Sequence, residues 1–257
     1  MESLNTIKLK DYLTISIPTH ILPSAPSTDI IEGTINSIRD NFIGVSDCRF
    51  IIYCDSRTSV NPSKIEYIEN LNKINNVTVV DRPNSGLQSN YIKGIVDSTT
   101  PFVFCCEHDW IFLREIDTPK LIKSMLEYDS INYVRFNKRD NKYPHKDNPE
   151  PADVVFWETY VEEESNVGEQ LLMKTDAIAT HPHIIRTSKF MNDWFDIASA
   201  QGGLTGQVEQ NLYNRYTENI RDLGFAKAHK NWGIYNYGGK DETKIIVHSD
   251  GSEEGRT

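Results

Sequence analysis

The chain has 257 residues, of which 38% are hydrophobic and 25% charged; it is long enough to bury a full core and is neither disordered nor fibrous. Its formal net charge of -10 weighs against a broad nucleic-acid or anionic-membrane surface, and no apolar run approaches the roughly 20 residues of a membrane span. Met1 to Leu13 carry no signal-peptide pattern, so the expected location is cytoplasmic.

Leu13 to Ile17 is a β-rich run, expected to stop at Pro18. Thr28-Asp29 is a helix start, and Ile31, Ile35, Ile38 and Phe42 recur at helical spacing over Ile30 to Phe42. Arg49 to Cys54 is a buried strand by length and β-branching. Asn61-Pro62 opens a helix over Ser63 to Ile74, and Val77 to Val80 is the next strand. The turn Pro83-Asn84-Ser85-Gly86 leads into a helix over Leu87 to Val96. Phe102 to Cys106 is a fourth strand. Thr118-Pro119 starts another helix, with proline in its favoured place in the first turn, and Ile131 to Phe136 is a fifth strand. Alternation over about 135 residues predicts an α/β fold with a mostly parallel sheet and helices on both faces. Ligands of such sheets bind beyond the carboxyl ends of the strands. Those ends are Pro18-Thr19-His20, Asp55-Ser56, Asp81-Arg82 and Glu107-His108-Asp109.

The second half is less regular. Asn137 to Pro151 is expected to be a long loop, and Glu162-Glu163-Glu164 a solvated acidic face. Helices are expected over Ser188 to Ala200 and Gly206 to Arg221, separated by Gly202-Gly203. A strand and turn are expected at Ile245 to Gly251, then a disordered tail to Thr257. Without a linker or repeat, the chain is expected to be one domain over residues 1–257. The four cysteines, Cys48, Cys54, Cys105 and Cys106, form no C-x-x-C pair and are expected to be reduced core residues.

The most informative stretch is Phe102 to Trp110, where an apolar strand ends in acid-x-acid. Glu107 and Asp109 fall on one side of an extended chain. Two such carboxylates can hold a hard divalent cation; strand ends also carry Asp simply as a turn residue.

The segment Arg82 to Asp109 resembles the nucleotide-sugar half of GT-A glycosyltransferases, family-2-like members in particular. The parts that carry the resemblance are Asn84, Gly86, Asn90, Gly94, the Phe102–Cys106 strand and Glu107-His108-Asp109 in place of D-x-D. Ile17-Pro18-Thr19 and Cys54-Asp55-Ser56 fit the same pattern, which extends over about residues 12–136. The resemblance implies a GT-A, Rossmann-like fold: residues 1–110 as the donor half and 111–257 as the acceptor half and tail. It implies a nucleoside-diphosphate sugar as donor, with a UDP-sugar favoured, and Mn2+ or Mg2+ as cofactor. Asp109 would touch the metal directly. Glu107 would sit nearer the ribose or act through water.

Pro18, Thr19, His20 and Asp55 would then hold the base and ribose, with Gly86, Asn90 and His108 around the same donor. Asp55 also reads as a turn or capping residue before Asn61-Pro62. Arg82 reads either as a phosphate ligand or as an exposed strand-end charge, and His108 reads either as a donor contact or as a side chain pointing the other way into the sheet packing.

An inverting transfer needs a base for the acceptor hydroxyl. By resemblance this acid follows a Gly-containing loop near a helix N-terminus, and Gly202 to Asn211 has that form. Glu209 is the candidate, with Asp193 and Glu169 as rivals; a helix-start glutamate complementing the dipole is the plain alternative. By the same resemblance, His248 is a late metal or phosphate ligand, or else incidental. His181-Pro182-His183 either lines the acceptor side or packs in the core. Trp110, Trp157 and Trp232 either stack on sugars or pack.

The implied acceptor is a saccharide or glycoconjugate. A DNA acceptor, such as a hydroxylated base of viral DNA, rests on the basic run Arg135, Lys138, Arg139, Lys142, His145 and Lys146. A nucleotidyltransferase normally has a Gly- and Lys/Arg-containing loop after the first strand, and Pro18 to Asp29 contain none of these. A non-catalytic nucleotide-sugar binder is the remaining class.

Overall fold

The computed structural model describes residues 7–22, 24–56, 62–138, 140–141, 164–168, 170–176, 178–200, 207–239 and 242–249. Strands β1 (Leu13–His20), β2 (Arg49–Asp55), β3 (Val77–Asp81) and β4 (Phe102–Cys105) pair in parallel in the order β3-β2-β1-β4. Beyond β5 (Trp110–Phe112) come β6 (Tyr133–Arg135), β7 (Glu164–Val167), β8 (Gln170–Lys174), β9 (His183–Arg186), β10 (Ile234–Tyr237) and β11 (Ile246–His248). The large sheet continues from β4 as β9-β6-β10-β8-β7. Only β9 and β8 run against the other strands of that sheet, so it is mostly parallel. Strand β9 lies between β4 and β6, antiparallel to both.

The first strand does not stop at Pro18; it continues to His20, with Pro18 opposite Tyr53 of β2. The reason is local. The Ser16 carbonyl accepts from Cys106 N, so Ser16, and two residues on Pro18, present their backbone groups to the β4 edge. Strand β4 has ended at Cys105, and the missing proline N–H leaves no ladder bond unmade.

Helices α1 (Asp29–Asn41), α2 (Pro62–Leu71), α3 (Leu87–Val96) and α4 (Thr118–Glu127) connect the early strands. Asp117 caps α4 by accepting from Lys120 N at 3.1 Å, with a proline in the first turn. A helical stretch α5 combines Thr187–Lys189, a π-helical Phe190–Trp194 and Phe195–Ser199. It is followed by α6 (Gln207–Leu223) and α7 (Phe225–Trp232).

The period of two along β4 divides the core. Phe102, Phe104 and Cys106 pack with Ile31, Ile35 and Ile38 of α1 and Leu121, Ile122 and Met125 of α4. Val103 and Cys105 face Tyr91 and Ile95 of α3, Leu212 and Tyr216 of α6, and Trp232. Helix α3 rests close on the sheet because position 94 is glycine: a Cβ there would lie 1.9 Å from Ser16 Oγ and 3.0 Å from Ser16 Cβ. All four cysteines are free and buried, and burial pushes the Cys48 and Cys54 thiols up to about 12. Among the described residues no helix is long and apolar enough to cross a membrane.

Candidate active site

The carboxyl ends of β1, β2 and β4 share one edge of the parallel sheet. Thr19 is fully buried there, and the His20 and His108 rings meet edge to face at 5.2 Å. Asp55 is buried at the end of β2, and its Oδ2 accepts from Gly86 N at 3.0 Å. Gly86 holds φ at +73°, where a side chain would be strained, and this turn starts α3. Asn90 of α3 donates to the Tyr53 carbonyl at 3.2 Å and accepts from Ser85 Oγ at 2.8 Å. Arg82 folds onto the same helix, donating to Ser89 O and Asn90 Oδ1, each at 3.0 Å. Asp55, Arg82, Gly86 and Asn90 therefore form one hydrogen-bonded turn beside the strand ends.

Past Cys106 the chain leaves the sheet and presents Glu107 and Asp109. Burial, then the carboxylates of Asp109 and Glu209, push the Glu107 carboxyl up from 4.5 to about 7. Strand β11 pairs antiparallel with β5, setting His248 opposite Trp110. This carries His248 Nδ1 to 3.5 Å from Asp109 Oδ2, while Ser249 N donates to the Asp109 carbonyl at 2.8 Å. The His248 and Trp110 ring centroids lie 3.7 Å apart, and the His181 ring meets Trp110 edge-on at 5.4 Å. Asp109 Oδ1 is buried without a hydrogen-bond partner among the described residues.

Among the described residues no group of three or more His, Cys, Asp or Glu is gathered as a complete metal cage. The donor set still fits a divalent cation of the Mn2+ or Mg2+ kind. Such an ion is commonly held by one or two carboxylates together with substrate phosphates. An orphaned carboxylate oxygen with an imidazole nitrogen beside it is that partial set.

Glu209 lies in the first turn of α6. Its Oε2 accepts from Thr180 N at 2.9 Å and from Thr180 Oγ1 at 2.8 Å. From α3, Gln88 Oε1 accepts from Val208 N at 3.3 Å, satisfying one amide of that first turn. The segment before β9 is pinned from beneath. His183 is fully buried; its Nδ1 donates to the His181 carbonyl at 2.6 Å and its Nε2 accepts from Tyr91 OH at 2.8 Å. Burial pulls this imidazole down to about 4, so it is neutral. The Tyr133 ring stacks on His183 at 4.4 Å, and its hydroxyl donates to the Ala179 carbonyl. Burial, with Arg135 and Lys138 nearby, holds His181 well below its ordinary value.

The strand ends thus gather Glu107, Asp109, Glu209 and His248, with Thr19, His20, Asp55 and His108 along the same edge. Arg135 is not part of a basic loop: it ends β6, is buried, and its Nε donates to Asn236 Oδ1 at 3.0 Å. Trp232 packs in the core against Trp194 at 5.2 Å and Tyr216 at 5.0 Å. Asp193 pairs with Lys189 one turn back on α5. Arg139, Lys142, His145, Lys146, Trp157, Glu169 and Gly202-Gly203 lie outside the described residues, as does the tail from Gly251. Sequence reasoning missed Thr180, Tyr91, Tyr133 and Gln88. Only Gln88 and Tyr91 carried a signal, their i, i+3 spacing on α3.

The family model for glycosyl transferase family 2 matches residues 17–192. No curated protein sequence matches the chain. Among solved structures, the 1-349 fragment of S. aureus TarS superposes with a TM-score of 0.52 at 13% identity, over 94% of this chain and 62% of that one. The chain thus spans less than two thirds of that fragment. A CMP:2-keto-3-deoxy-manno-octonic acid synthetase complexed with CTP superposes with a TM-score of 0.52 at 12% identity, over 95% of both chains.

Proposed function

The chain belongs to glycosyl transferase family 2 and has the GT-A fold, and we propose that it transfers a sugar from a nucleoside-diphosphate sugar, a UDP-sugar in the first instance, to a hydroxyl of a saccharide or glycoconjugate. The observation that carries this reading is the convergence of Glu107, Asp109 and Glu209, from two separate elements, at the strand ends. There they are close enough for the last two to raise the carboxyl of the first. Residues 1–110 serve the donor, and 111–257 serve the acceptor and complete the site.

Asp109 and His248 would hold Mn2+ or Mg2+, and Glu107 would meet the ribose or the ion through water. When bound, the ion neutralises charge on the departing diphosphate. The remaining work belongs to the chain. Pro18, Thr19, His20 and His108 wall the base and ribose. The Asp55–Gly86 hydrogen bond fixes the turn on which they close, and Arg82 and Asn90 keep that turn on α3. Glu209 takes the proton of the acceptor hydroxyl as it attacks the anomeric carbon from the face opposite the leaving group, which gives inversion.

A nucleotidyl transfer draws support only from the fold shared with the synthetase, and the family match favours glycosyl transfer. A DNA acceptor loses Arg135, which is buried inside the sheet. The test is Glu209→Gln. It should keep donor binding and lose transfer by about 100-fold or more. Near-wild-type turnover would remove Glu209 as the base.

A further inference from the structure

The geometry points to Thr180 as the positioning residue for Glu209; this rests on the reading of Glu209 as the base. A carboxylate on a two-carbon stem at the start of a helix has several rotamers, and only one of them aims an oxygen at an acceptor. Thr180 selects among them by donating twice, from N at 2.9 Å and Oγ1 at 2.8 Å, to the same oxygen, Oε2. Both donors on one oxygen leave Oε1 as the atom to receive a proton: no hydrogen bond from another described residue reaches it. A base aimed in advance saves the ordering cost at the moment of reaction.

Thr180 can do this because its own backbone is held. Tyr133 OH donates to the carbonyl of Ala179, and the His183 Nδ1–H to that of His181. The His183 ring is fixed in turn by Tyr91 OH on α3 and by stacking on Tyr133. Helix α3 reaches the other partner too, because Gln88 accepts from Val208 N next to Glu209. The donor-side helix thus grips both halves of the Thr180–Glu209 pair, Thr180 through Tyr91 and His183, Glu209 through Gln88. Nothing in the local sequence marks Thr180, because the pairing is purely tertiary.

The test follows UDP release from UDP-glucose, UDP-galactose and UDP-N-acetylglucosamine with Mn2+, in the full chain. Thr180→Val should lower kcat by about 10- to 100-fold and leave the donor KM within about twofold. Thr180→Ser, which keeps the hydroxyl, should restore kcat to within about threefold of wild type. In a Glu209→Gln background, Thr180→Val should cost nothing further, since it acts through Glu209. Equal losses in both backgrounds, an unimpaired Thr180→Val, or a serine variant as poor as the valine one would overturn the inference. An active Glu209→Gln would instead overturn the reading of the base. Independently of turnover, the Thr180 amide should exchange with solvent at least about tenfold faster in Glu209→Ala. An unchanged exchange rate there means the contact is absent and also overturns the inference.

Discussion

Replacing Glu107 by glutamine removes a carboxyl that the fold makes costly to ionise. Burial comes first, and the negative charges of Asp109 and Glu209 add to it, so the group titrates at about 7 instead of 4.5. The sign follows from proton counting. Between pH 4.5 and 7 the folded chain holds a proton at Glu107 that the unfolded chain has lost. Stability therefore falls as pH rises through that window. At 1.36 kcal/mol per pH unit the full cost is about 3 kcal/mol, reached above pH 7 and absent below pH 4.5. Glutamine is neutral throughout and takes no part. In chelator, wild type and Glu107→Gln should match in stability near pH 4.5, and the variant should lead by about 3 kcal/mol at pH 8. At about 2–4 °C per kcal/mol for a chain of this size, the Tm gap grows to about 6–12 °C. The assay is paired thermal or urea unfolding at several pH values. Comparing the two proteins at each pH cancels the titration of every group that is not coupled to Glu107. A gap that is the same at pH 5 and pH 8 would refute the crowding of three carboxylates at the strand ends.

Gly233→Ala should destabilise the fold by at least about 2 kcal/mol, read by urea unfolding, because φ is +65° and a Cβ would sit 2.0 Å from the Ser130 carbonyl oxygen. The thiols should resist Ellman's reagent in the native chain at pH 8 and react only on unfolding, since all four are buried and Cys48 and Cys54 are pushed up to about 12. His248→Ala should weaken the Mn2+ concentration dependence of the thermal shift by about tenfold and leave the metal-free Tm within a few degrees.

The regular half of the fold was legible because its signals are local. Helix Leu87–Val96 has the boundaries its turn and periodicity predict. The strands over 49–55, 77–81 and 102–105 start where their β-branched and aromatic runs start. The first strand runs past the stop expected at Pro18 because the edge a proline faces depends on where the neighbouring strand ends, which is tertiary information. Helix Phe225–Trp232 was hidden behind Gly224, which separates it from the longer helix before it. At the site, the acid-x-acid ending was visible because both residues sit in one short stretch. The approach of His248 to Asp109 depends on the pairing of two three-residue strands, Trp110–Phe112 and Ile246–His248. Neither strand is long enough to announce a partner. The contact between Thr180 and Glu209 joins a loop to a helix start and has no signature in either.

The most direct test of metal-assisted sugar transfer is nucleotide release from a panel of UDP-, GDP- and dTDP-sugars, with Mn2+ or chelator, by wild type and Asp109→Ala. Wild type should release the diphosphate of one nucleotide class only when Mn2+ is present, and Asp109→Ala should stay folded and lose that release by about 100-fold or more. Equal release by the two proteins, or release that ignores the chelator, would contradict the account.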